Sequence, residues 1–96
     1  MKVELSPRAA ADLEAIRDYL LPLSPQGAER VRQGIAATVD LLAAFPHAGH
    51  ETDVAGIRML PVLHYPFLVY HTITEDLLVV VHIRHAARAT PTSDEF

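Results

Sequence analysis

The sequence predicts a single α+β domain in which an antiparallel helical hairpin covers one face of a small antiparallel sheet. Three observations carry this. Two Ser-Pro pairs, Ser6-Pro7 and Ser24-Pro25, each open a stretch whose apolar residues recur at helical spacing. Residues 56–88, GIRMLPVLHYPFLVYHTITEDLLVVVHIRHAAR, divide into three runs rich in Val, Ile, Leu, Tyr and Phe. The breaks between those runs, at Tyr65-Pro66 and Glu75-Asp76, are too short for a crossover, so the runs form an antiparallel meander.

In chain order, Lys2–Leu5 is a short opening strand. Ser6 then caps a first helix with Pro7 at its first position, and Ala9, Leu13, Ile16 and Leu20 form its apolar stripe until Pro22 stops it. Ser24 and Pro25 start a second helix along Ala28, Val31, Ile35, Val39 and Leu42, stopped by Pro46. Gly34 within it is read as permitting a close crossing of the two helices. Residues 47–55 read as an exposed polar connection. The three strands are expected at 57–63, 67–74 and 77–85, the first at an edge or carrying a bulge because Pro61 lacks a backbone donor. Alternation on the last strand puts Leu77, Val79, Val81, Ile83 and His85 toward the core, and Leu78, Val80, His82 and Arg84 on the other face. The core spans residues 3–88, and 89–96 read as a flexible tail to which only Phe96 offers an anchor.

Composition narrows the function. The 96 residues make one domain, and half of them are hydrophobic, as in a globular chain. With no cysteine there is neither a disulfide nor thiolate chemistry, which fits a reducing cytoplasm. No signal-peptide core and no membrane-spanning apolar run is visible, so a cytoplasmic protein without membrane association is expected. A net charge of -4 argues against a general nucleic-acid coat.

Among the six histidines, His82 and His85 have H-x-x-H spacing, but on a strand this sends them to opposite faces. No metal site or cofactor is therefore expected. His47, His50 and His71 read as ordinary surface or sheet residues. No serine stands in a nucleophile–base arrangement. The remaining set, Arg58, His64, Arg84, His85 and Arg88, reads either as a cationic sheet end able to hold phosphate or a partner's carboxylates, or as a solvated end with ion pairs to Glu51, Asp53 or Asp94.

Five segments in order, LSPRAAADLEAIRDYL, FPHAG, GIR, HYPFLVYH and VHIRHAAR, resemble the RelE/ParE superfamily of toxins from bacterial type II toxin–antitoxin pairs. The resemblance runs from Val3 to Arg88 and implies the same α+β fold. It implies one of two activities: RelE-like members cleave messenger RNA on the ribosome, whereas ParE-like members poison DNA gyrase without hydrolytic chemistry of their own. Tyr65-Pro66-Phe67 stands where RelE-like toxins tend to carry an arginine. Lys2 is the only lysine, and His85 with Arg88 matches a His-x-x-Arg after the last strand. These features place the chain on the ParE-like branch. On that reading there are no catalytic residues, and Arg58, His64, Tyr65, Arg84, His85 and Arg88 bind the target or antitoxin. A nuclease would instead use His64, His82, Arg84, His85 and Arg88. The implied partners are DNA gyrase and a ParD-like antitoxin, with a ribbon-helix-helix DNA-binding part and a flexible toxin-binding segment. Operator DNA would be met only through that antitoxin. A further alternative is a non-toxic relative that serves as an antitoxin-binding corepressor.

Overall fold

A computed structural model of the chain describes residues 1–88, 91, 94 and 96. The elements run β1 (Lys2–Leu5), α1 (Pro7–Leu20), α2 (Pro25–Ala44), β2 (His50–Glu51), β3 (Arg58–Pro61), β4 (Phe67–Thr74) and β5 (Leu77–His85). Both predicted caps form: Ser6 Oγ accepts from Ala9 N at 3.1 Å and Ser24 Oγ from Gly27 N at 3.0 Å. Each satisfies an amide that the first helical turn leaves unpaired. Among the described residues no helix is long and apolar enough to cross a membrane.

The five strands form one sheet in the order β1-β5-β4-β3-β2. β3, β4 and β5 are the expected meander, and β1 adds to β5 in parallel, Lys2 opposite Leu77 through Leu5 opposite Val80. The first meander strand is shorter than the expected 57–63. Its Pro61 lies beyond the two-residue β2, which pairs only with Arg58 and Met59, so the missing N–H leaves no gap in that ladder. β2 itself corrects the reading of 47–55 as connection alone.

The helices pack on one sheet face. The core joins Ala9, Val31, Ile35 and Leu42 to Val62, Phe67, Val69, Leu78, Val80 and Ile83. This corrects the face assignment on β5. Val80 pairs with His71 and His82 with Tyr70, so Val81 is left unpaired as a bulge and the alternation inverts there. Leu78 and Val80 face the helices before it, and Ile83 and His85 after it.

Gly34 also has a different role from the one its helix suggested. A Cβ there would lie 2.9 Å from Cδ2 of Tyr65 and 3.2 Å from Cγ1 of Val62. The glycine admits the β3–β4 turn against α2, not the other helix. Tyr65 is thereby a packing residue of that turn. Of the tail expected at 89–96, residues 89, 90, 92, 93 and 95 lie outside the described residues. Pro91 is buried, and the Phe96 ring packs on Tyr70 and His82.

Candidate functional site

The residues read as one cationic sheet end are distributed over both faces of the sheet. Arg58 pairs with His71 and so lies on the helix face. Its Nη2 donates to the carbonyls of His47 at 2.9 Å and Gly49 at 3.0 Å, and its Nη1 sits 3.7 Å from Glu51. It therefore ties the α2–β2 connection to the sheet. Arg84 pairs with Leu68, three residues further along β4 from His71, and faces the opposite side. His64 stands exposed in the β3–β4 turn with φ 70°, the left-handed conformation that L-residues adopt rarely.

Arg84 is buried. Its Nε donates to the Tyr70 hydroxyl at 3.0 Å, and its Nη1 donates to the carbonyls of His85 at 3.0 Å and Arg88 at 2.7 Å. The guanidinium thus fixes the turn that follows β5. His85, exposed on the helix face, sets its ring edge-on to Phe67 at 5.4 Å and accepts the Ala87 amide at Nδ1, 3.0 Å away. That bond places the proton of the neutral ring on Nε2.

Asp12 is a neighbour of these residues that the sequence alone did not single out. β1 ends opposite Val80, leaving the edge of β5 open beyond it. There Asp12 Oδ2 accepts from Ile83 N at 3.0 Å and from His82 Nδ1 at 2.6 Å. The carboxylate replaces the strand that β1 does not supply. The signal was present: Asp12 interrupts the Ala9, Leu13, Ile16 stripe, and an acid on a buried face requires partners.

Between α1 and this end of the sheet runs a groove of about 570 Å³. Ile16, Leu20, Val31, Phe67 and Ile83 give it an apolar floor, and Tyr19 stands at its wall, exposed. Arg84, His85 and Arg88 line its other side. The structure thus brings these three predicted residues to one groove and leaves Arg58, His64 and Tyr65 outside its lining. His82 and His85 lie on opposite faces, as their spacing requires. Among the described residues no group of three or more potential ligands could hold a metal ion.

His71 is fully buried, with its ring nitrogens 3.3 Å from the carbonyls of Val69 and Ala48. Burial pushes its pKa below the usual 6.5 and the nearby Arg58 adds to this, against the opposing pull of the two carbonyls. The unfolded chain therefore binds a proton that the folded chain resists. Stability should be fully present above about pH 6.5 and fall as pH drops from there toward the depressed folded value. Urea denaturation across this range should show the fall, and His71→Gln should flatten it. An equally steep fall in His71→Gln would assign the effect to another group.

A family model described as the ParE toxin of the type II toxin–antitoxin system parDE matches residues 3–90. "Toxin RelE2" of Caulobacter vibrioides is 40% identical over 81 residues, which are 84% of this chain and 90% of that protein. "Toxin RelE3" of the same organism is 30% identical over 86 residues, covering 88% and 92%. A solved structure described as the chromosomal ParDE TA system from P. aeruginosa superposes with a TM-score of 0.79 at 30% identity, over 88% of this chain and 95% of that one. Fold and matches together define a toxin of the RelE/ParE superfamily. The chain belongs to the ParE toxin family of type II toxin–antitoxin systems.

Proposed function

We propose that this chain poisons DNA gyrase and is neutralised in the cytoplasm by a cognate antitoxin that docks along the α1–sheet groove. One observation carries the choice of target: of the side chains a ribonuclease of this fold would use, His82 and Arg84 are buried and bonded within the chain. Ribose-directed cleavage needs a base, a proton donor and cations converging on one phosphate. Here the His82 Nδ1 is engaged by Asp12, and Arg84 donates to a phenol and two carbonyls. The His85 Nδ1 is engaged by a backbone amide, and His64 stands in a separate turn. Of the five, His64 and Arg88 are exposed with no side-chain bond among the described residues, and they stand on different turns, after β3 and after β5.

The groove suits an antitoxin segment of particular chemistry. Its apolar floor favours an amphipathic helix, and Arg88 and His85 beside it favour carboxylates on that helix. Such a segment would be disordered when free, so a large buried surface must offset its ordering.

Purified protein is expected to inhibit gyrase supercoiling or to stabilise gyrase-cleaved DNA, and the antitoxin to reverse this. The RelE names of the two Caulobacter relatives make ribonuclease the rival. Cutting of ribosome-bound message with gyrase unaffected would establish that activity instead. Antitoxin binding with neither effect would leave a corepressor.

A further inference from the structure

The sheet face opposite the helices carries Met59, Leu68, Tyr70, Val79, His82 and Arg84, and no described helix covers it. An uncovered strand surface ordinarily leaves its side chains in water, yet Tyr70 and His82 are each only 4% exposed and Arg84 8%. Phe96 accounts for part of this cover. Its ring lies 5.3 Å from the Tyr70 ring, tilted by 48°, and 6.1 Å from the His82 ring, edge-on at 75°. Tyr70 and His82 are themselves stacked at 5.9 Å and 27°, so the two rings form a continuous aromatic bed.

We propose that this bed is an interaction surface for an acidic peptide segment carrying an aromatic residue, and that Phe96 occupies it in the free chain. Two features favour exchange of Phe96 for such a segment. Each aromatic pair is worth only about twofold to about tenfold in population, and Phe96 remains half-exposed, so its seating is reversible. Arg84 lies 5.5 Å from the Tyr70 ring centroid, buried, and meets no carboxylate among the described residues; its acceptors are a phenol and two carbonyls. Phe96 supplies the ring that the bed accepts, but among the described residues no carboxylate meets Arg84. A segment that brings an aromatic ring with a carboxylate beside it satisfies both. This inference does not depend on gyrase as target, and the two rings of the bed, Tyr70 and His82, are not among the residues that line the α1 groove, although Arg84 borders both.

The test is an NMR titration of the full chain and of Phe96→Ala with the peptide acetyl-Asp-Phe-Asp-amide, with acetyl-Asp-Ala-Asp-amide as control. Removing the competing ring should tighten binding of the aromatic peptide about tenfold, because a site filled by its own chain is open for only a fraction of the time. Ring resonances of Tyr70 and His82 should move with the aromatic peptide and not with the control. Adding Tyr70→Leu to Phe96→Ala should abolish the binding while the amide spectrum stays dispersed. Equal affinity for the two chains, no binding to Phe96→Ala, or shifts confined to Tyr19 and the α1 groove would each overturn the proposal.

Discussion

Replacing Asp12 with alanine is expected to lower the unfolding free energy by about 2–4 kcal/mol, a large share of what a domain of this size possesses. The carboxylate serves two otherwise orphaned groups at once: the amide of Ile83, a residue only 2% exposed, and the imidazole of His82 at 4%. Alanine would leave both donors without a partner at a strand edge that β1 does not reach. Its contact with Arg8, 3.3 Å away and largely solvated, adds little by comparison. Asp12→Asn retains an oxygen for the Ile83 amide and should recover more than half of the loss. Urea denaturation with an unchanged m value would report the difference. A cost for Asp12→Ala below about 0.5 kcal/mol, the scale of an ordinary surface change, would show that water replaces the carboxylate at the edge.

What the sequence made legible, and what it hid, follows from how local each cause is. Both helix starts, β1, β4 and β5 were readable because Ser-Pro caps, turn residues and β-rich runs act within a few positions. β2 was not, since two residues carry no periodicity and His50 and Glu51 become a strand only by pairing with Met59 and Arg58. The bulge at Val81 was hidden for a different reason. Leu77 through Val81 is apolar at every position, so both registers look equally good and only the pairing with β4 decides between them. From that one shifted residue follows the misplacement of Leu78 and Val80, whereas His82 and Arg84 lie on the face expected of them and differ from the reading only in being buried there. Tyr65 and Gly34 illustrate the same limit, because a contact between a turn and a distant helix leaves no mark in either segment alone.

The three arginines should separate cleanly when each is replaced by alanine, and the largest loss of stability should come from Arg84. Read from sequence they belong to one cationic sheet end. The structure instead gives Arg84 three internal bonds, to Tyr70 and to the carbonyls of His85 and Arg88, at 8% exposure. Bonds from a charged donor contribute about 1.5–3 kcal/mol each, and they are not additive, so a total cost of about 3–4 kcal/mol is expected for Arg84→Ala. Arg58→Ala should cost less, about 1–2 kcal/mol, because its two carbonyl acceptors lie in a partly exposed connection where water can take over. Its Nε is buried without a partner among the described residues, which further reduces what the side chain contributes. Arg88→Ala should fall within about 0.5 kcal/mol of the parent, since its side chain is exposed and makes no bond among the described residues. Arg88 is therefore the variant whose growth phenotype can be read as a loss of binding and not of folding. If denaturation ranks the three in this order while Arg88→Ala loses toxicity at equal soluble level, the groove end is the functional contact. If Arg88→Ala remains fully toxic, the contact lies elsewhere on the chain.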